Sequence, residues 1–233
     1  VFSGIDQPQE GIAGYLDNDV DLDVVVTVER EDSIKWYENN GSQGFTAPTI
    51  NTVGDGPTGL NLADVDGDGK IDILSVSHWD NTGWLHLNNG DQTFTSTAFS
   101  TALAQPRSVF TADISGDGIL DLVTGSQNDK IMWHENNGQE VFTDHVISTA
   151  ADGVFDIAVT DFDKDGDIDV ISSSYNDHKI AWYENNATGD FTTHVVSTNT
   201  TNAIQMTIAD INGDGVPNIL VIENSQSSPA YVW

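Results

Sequence analysis

Asp64-Val65-Asp66-Gly67-Asp68-Gly69-Lys70-Ile71-Asp72 decides the reading of this chain, because the pattern returns. It stands again at Asp113–Asp121 (DISGDGILD) and at Asp161–Asp169 (DFDKDGDID). A looser copy, DINGDGVPN, runs from Asp210 to Asn218, and a degenerate one, YLDNDVDLD, from Tyr15 to Asp23. Recurrence at a nearly constant period means one structural unit used in tandem, each copy too small to bury its own faces.

Working outward from the loop, each unit reads as strands. In the unit from Phe142 to Asn186, FTDHVIS is a short strand rich in Thr and Val. Phe155, Ile157 and Val159 then alternate with Asp156, Ala158 and Thr160, the period of two expected of a strand. After the acidic loop, Val170 to Ser174 is another strand. The turn Asn176-Asp177-His178 leads into Ile180-Ala181-Trp182-Tyr183-Glu184. The other units read alike, with Trp36, Leu85, Trp133, Trp182 and Tyr231 in one column. Four short strands per unit of about 40 to 50 residues, with no helical periodicity, predict an all-β fold of propeller type. The repeats fall around 15–50, 64–99, 113–148, 161–197 and 210–233, the last completed by 1–5. Val1-Phe2-Ser3 matches Val141-Phe142-Thr143, the start of the strand that the last unit lacks. The expected architecture is therefore a single domain of five four-stranded blades, closed by pairing of the N- and C-terminal strands, which removes open sheet edges.

Composition narrows the function. There are 37 Asp and Glu against 7 Lys and Arg, a formal net charge of −30. Such a surface disfavours nucleic acid and anionic membranes. No stretch approaches the ~20 apolar residues of a membrane-spanning helix. With 38% hydrophobic residues, six Trp and nine Phe, the chain is nonetheless built to fold. It has no cysteine, so bound ions rather than disulfides would pin its loops. We read it as an extracellular, secreted or cell-surface segment. Sequons stand at Asn40, Asn186 and Asn199.

The loop spacing D-x-D-x-D-G-x-x-D predicts a calcium site. Side chains at positions 1, 3 and 5 converge when the chain curls, and the Gly at position 6 allows the sharp turn. Position 7 offers a carbonyl, and the residue at position 9 returns from the next strand. An all-oxygen shell favours Ca²⁺ over zinc or copper. The expected ligands are Asp64, Asp66, Asp68, Lys70 and Asp72 in the second repeat. They are Asp113, Ser115, Asp117, Ile119 and Asp121 in the third, and Asp161, Asp163, Asp165, Asp167 and Asp169 in the fourth. The fifth offers Asp210, Asn212, Asp214, Val216 and Asn218, a weaker set. The first offers Asp17, Asp19 and Asp23, but Tyr15 replaces the first ligand and Val20 the glycine.

These loops, with the Trp36-Tyr37-Glu38-Asn39-Asn40-Gly41 strand end and a following Phe-Thr strand, resemble FG-GAP/VCBS repeats. That family builds the propellers of integrin α chains, of some fungal and bacterial lectins, and of some polysaccharide-degrading enzymes. The resemblance implies a calcium-stabilised propeller with ligands bound on the face away from the calcium loops. Carried onto this chain, that face holds Glu29-Arg30-Glu31-Asp32, His78-Trp79-Asp80-Asn81, Gln127-Asn128-Asp129, Tyr175-Asn176-Asp177-His178 and Asn224-Ser225-Gln226, with Arg107 beside them. His78, Trp79, Asp80, Arg107, Asn128, Tyr175 and Asn176 are the candidate ligand-binding residues. Trp79 leads, since a Trp at a turn tip has no evident core role.

Three functional classes follow. The first is a carbohydrate-binding, lectin-like module: aromatic planes stack on sugar rings while amides and carboxylates bind hydroxyls. The second is a protein adhesion or scaffold module. The third is the accessory domain of a polysaccharide-active enzyme. Catalysis by the chain itself is not expected. His145 and His194 share one repeat column, His86 and His134 another with Tyr37 and Tyr183, which points to packing. His78 and His178 lack a recognisable nucleophile or orienting partner.

Overall fold

The structure, a computed structural model, describes residues 6–17, 19–42, 44–46, 49–50, 54–224 and 231–232. Apart from a 3-10 turn at Glu29–Glu31, its regular elements are strands. The chain divides into two compact units, Val1–Val109 with Asn137–Phe142, and Phe110–Asn136 with Thr143–Trp233.

In the first unit, β1 (Pro8–Gly14), β2 (Asp23–Val28), β3 (Ser33–Asn39) and β4 (Phe45–Thr46) pair in chain order, and β5 (Thr49–Ile50) also pairs with β3. The predicted fourth strand of this repeat is thus two short pieces. The strands β6 (Pro57–Ala63), β7 (Asp72–Ser77), β8 (Thr82–Asn88) and β9 (Phe94–Ser100) form the second sheet. A third sheet, β10 (Pro106–Ala112), β11 (Asp121–Ser126), β12 (Ile131–Asn136) and β13 (Phe142–Ser148), has residues assigned to both units. The second unit holds β14 (Val154–Thr160), β15 (Asp169–Ser174), β16 (Lys179–Asn185) and β17 (Phe191–Ser197). Its other sheet, β18 (Ala203–Ala209), β19 (Asn218–Glu223) and β20 (Tyr231–Val232), shows three strands among the described residues. Residues 1–5, Ser225, Gln226 and Trp233, on which the predicted closure and part of the predicted rim depend, lie outside the described residues.

Register bears out the column read from the sequence. Trp36 pairs with Val25, Leu85 with Leu74, Trp133 with Val123, Trp182 with Ile171, and Tyr231 with Val221. The second and third strands of the first four repeats carry most of the burial. Trp36, Ile34, Val25 and Ile73 form a core in the first unit with Leu60 and Leu16. In the second unit, Val123, Ile131, Trp133, Val170 and Tyr183 form one core, and Ile171, Ile180, Met206 and Val221 another. The fourth strands β9, β13 and β17 are mostly half-buried or exposed, as outer strands should be. The innermost strands β1, β6, β14 and β18 each slip register near their start, a bulge that bends the strand.

The histidine columns resolve into packing motifs. His86 Nε2 lies 3.0 Å from Ser75 Oγ and its Nδ1 2.8 Å from Ser96 Oγ, and burial pushes its pKa down to about 4. His134 takes the same place against Thr124 Oγ1 at 2.9 Å, and the Tyr183 hydroxyl lies 3.3 Å from Ser172 Oγ. On the outer strands, His145 stacks on Trp133 at 4.3 Å and His194 on Trp182 at 4.5 Å. Each also meets a carboxylate, Glu135 at 2.9 Å and Glu184 at 2.6 Å.

Candidate metal loops and turn rim

The acidic loops sit between the first and second strands of their repeats, and short-range hydrogen bonds set their shape. The position-3 side chain accepts the position-5 N–H: Asp66 from Asp68 at 3.0 Å, Asp163 from Asp165 at 3.1 Å, Asn212 from Asp214 at 3.0 Å, Asp17 from Asp19 at 3.0 Å. The position-5 side chain accepts the position-7 N–H: Asp68 from Lys70 at 2.9 Å, Asp117 from Ile119 at 2.8 Å, Asp165 from Asp167 at 2.9 Å, Asp214 from Val216 at 2.8 Å. Position 6 is left-handed at Gly69, Gly118, Gly166 and Gly215, as the spacing predicted. Position 4 is left-handed too, at Gly67, Gly116 and Gly213, and there Lys164 adopts φ 69° without being glycine.

Position 9 does more than return toward the loop. Asp72 accepts the Val65 N–H and the Asn88 N–H, each at 2.9 Å. Asp121 joins Ile114 at 3.1 Å and Asn136 at 2.8 Å, Asp169 joins Phe162 at 3.0 Å and Asn185 at 2.8 Å, and Asp23 joins Leu16 at 3.3 Å and Asn39 at 2.8 Å. Each buried carboxylate thus ties its loop to the end of the third strand. Asn218 accepts the loop N–H of Ile211 at 3.0 Å. Burial, with the charges of Asp66 and Asp68 nearby, raises Asp72 to about 6. Burial likewise raises Asp121 and Asp169.

Asn88 and Asn185 complete the support. Asn88 Nδ2 donates to the carbonyls of Ile71 (3.0 Å) and Leu16 (2.7 Å), linking the second acidic loop to the first. Asn185 Nδ2 does the same for Ile168 (3.1 Å) and Ile114 (2.9 Å). The sequence reading had no role for these residues.

Among the described residues, two clusters of three carboxylates each converge closely enough to hold an ion: Asp64, Asp66 and Asp72, and Asp161, Asp163 and Asp165. In both, the position-1 aspartate keeps a buried Oδ1 with no hydrogen-bond partner. A buried anionic oxygen is costly unless a cation or donor meets it, so these two loops fit a hard divalent ion. The third loop differs. Asp113 spends both oxygens on the N–H groups of Asp117 and Gly118, and Ser115 supplies a buried hydroxyl. Asp210 likewise accepts from Gly213 and Gly215. In the first loop Tyr15 is 53% exposed and Val20 88% exposed.

At the other ends of the same strands lie the predicted ligand residues. Several serve as latches instead. Asp32 accepts the Gly56 N–H (2.9 Å), Asn81 that of Gln105 (2.8 Å), Asp129 that of Gly153 (3.1 Å), and His178 Nδ1 that of Asn202 (3.3 Å). All four acceptor residues have left-handed backbones and reach 24 residues downstream. Asp80 is spent on the N–H groups of Asp55 and Thr82, and Asn176 donates to Asp152. Tyr175 packs on Phe155 with ring centroids 5.1 Å apart, and Asn128 is exposed.

His78, Trp79 and Arg107 do come together in the first unit. Trp79 is 57% exposed, meets the His78 ring edge-on at 4.5 Å, and lies against Gly56, where an added Cβ would be 2.1 Å from Trp79 Cδ1. His78 is buried, hydrogen-bonds to the Pro106 carbonyl, and keeps an Nδ1 without a partner among the described residues. Burial, then the Arg107 charge, holds its pKa down, while Glu29 pulls it up. Arg107 is lowered by burial, with Glu29 opposing.

The profile of the FG-GAP-like repeat matches residues 16–75, 64–124, 122–172 and 161–221. The chain belongs to the FG-GAP-like repeat family and is a β-propeller protein. No curated protein matches it in sequence. Among solved structures, it is similar to an Agrocybe aegerita lectin described as recognising non-reducing terminal N-acetylglucosamine. That match has TM-score 0.62 and 20% identity over 92% of this chain and 61% of the lectin. It is also similar to a protein of unknown function from Desulfotomaculum acetoxidans, with TM-score 0.65 and 11% identity over 94% of this chain and 63% of that one. The chain thus spans less than two thirds of the length of these two structures, and the likeness concerns the fold.

Proposed function

We propose that this FG-GAP-like chain is an extracellular, calcium-stabilised, non-catalytic module that binds glycans through the rim carrying Trp79. The observation that carries the proposal is the exposed Trp79 ring, lying against Gly56 and edge-on to buried His78, which in turn feels the charges of Arg107 and Glu29. A pinned aromatic face stacks on the C–H face of a pyranose at little entropic cost, and the grouped donors and acceptor beside it suit ring hydroxyls. The terminal N-acetylglucosamine recognised by the structurally similar lectin supplies the first sugar to try.

In this reading Asp64, Asp66 and Asp72, and Asp161, Asp163 and Asp165, hold calcium. The third, fifth and first loops follow in decreasing fitness. The bound ion supplies positive charge to carboxylates that otherwise repel one another. Five blades, one per repeat, agree with five repeats and five sheets among the described residues. A glycan array probed in millimolar calcium tests the function. Binding to terminal N-acetylglucosamine or another glycan that is lost in Trp79→Ala supports it. An array with no bound glycan removes it in favour of a protein-binding role.

A further inference from the structure

We propose a second sugar site, a cleft beside Tyr15 that takes one neutral pyranose ring. It rests on the glycan-binding reading but not on the Trp79 rim. The cleft has a volume of about 170 Å³ and is lined by Tyr15, Asp17, Lys70, Ile71, Asn88 and Gly90, among others. That is space for roughly five waters, enough for a single ring and not for a chain.

The cleft borders the degenerate first acidic loop. In the second, third and fifth loops the position-1 aspartate folds inward onto the position-6 glycine N–H, at 2.9, 2.9 and 2.8 Å. Tyr15 has no carboxylate to fold in, and its ring stands half in solvent as a wall. The floor is rigid and saturated. Asn88 spends its amide on Leu16 and Ile71 and accepts the Gly90 N–H at 2.9 Å. On the other wall the Lys70 stem crosses Gly90, where a Cβ would lie 2.7 Å from Lys70 Cε and push the flexible stem aside; the φ of 78° is what favours glycine there.

The groups facing the space are an aromatic face with a phenol, the Asp17 carboxylate and the Lys70 ammonium, which also pairs with Asp68. Asp17 accepts one N–H, from Asp19, and in the first loop, the least fit for calcium, its remaining lone pairs are open to a hydroxyl. One acceptor, one donor and an aromatic plane match the hydroxyls and the C–H face of a neutral sugar better than they match an ion. Tyr15 is the one aromatic residue at position 1 among the loops, so the site is single rather than repeated.

The test titrates the full chain, calcium present, with methyl glycosides of neutral hexoses and N-acetylhexosamines, by calorimetry and by NMR of the Tyr15 ring. In a Trp79→Ala background, which silences the rim, the expected result is residual weak binding that perturbs the Tyr15 ring, at least tenfold weaker by calorimetry when Tyr15→Ala or Gly90→Val is added. Melting curves of both cleft variants check that they fold, and Tyr15→Phe, which keeps the ring, should retain most of the affinity. Glycoside binding that is lost in Trp79→Ala and untouched in Tyr15→Ala overturns the cleft and leaves the rim reading standing. Absence of any glycoside or glycan-array binding overturns both.

Discussion

Individual carboxylates in this chain have distinct duties that their shared pattern conceals. The acidic spacing made positions 1 to 6 legible, because the chemistry of an oxygen shell needs those side chains. It hid the double anchor at position 9, because both partners of Asp72 are backbone N–H groups, which every non-proline residue carries. Asp72→Ala should therefore destabilise even the metal-free protein by about 3 kcal/mol, since two buried donors lose their acceptor. Urea unfolding in chelator measures it. Lys164 stands where the other loops have glycine. Lys164→Gly should be neutral to stabilising by about 1 kcal/mol, the strain of a left-handed non-glycine residue offsetting glycine's greater chain entropy. His86 gives a pH signature. Its folded pKa of about 4 lies below the ordinary 6.5, so the unfolded chain takes up the proton first as pH falls. Its contribution is intact above pH 6.5 and is lost between there and about pH 4. Comparing the pH dependence of unfolding with that of His86→Gln isolates this slope, and NMR should find the imidazole neutral at pH 5.

Strands and turns were legible for the same reason that the repeat was: alternation and tight polar turns recur in each copy. The strand from Phe142 to Ser148 falls where its Thr and Val content placed it, the alternating stretch around Phe155, Ile157 and Val159 lies in β14, and the tryptophan column is in register. Turn roles were not legible. Asn and Asp at turns suit ligand binding and local hydrogen bonding equally well, and the structure spends Asp32, Asn81, Asp129 and Asp80 on backbone N–H groups. Trp79 escaped this ambiguity because an indole has no such use in a turn. Pairing between outer and inner strands also has a tight spot: Gly83 of β8 faces the Phe99 ring of β9, with an added Cβ 2.1 Å from its Cζ. Gly83→Ala should cost about 1–3 kcal/mol by overpacking, and Gly83→Ala combined with Phe99→Leu should recover part of it in thermal melts.

For the molecule as a whole, a formal charge of −30 sets the balance between fold and self-repulsion. If calcium fills the acidic loops, excess chelator should lower the melting temperature by about ten degrees or more, and added monovalent salt should restore part of the loss by screening. A melting curve unmoved by chelator would assign the loops a purely structural role. The four turn latches carry a different lesson. Each gives its acceptor to a backbone N–H 24 residues along, and all four receiving residues, Gly56, Gln105, Gly153 and Asn202, are left-handed, so the receiving side must supply a turn of that shape rather than a partner side chain. A copied cassette would bring its own hook and find an eye already waiting in whatever module followed. Such a chain can gain or lose whole cassettes by gene duplication without inventing a new joint, leaving side chains beside the joints free to diverge in what they grip.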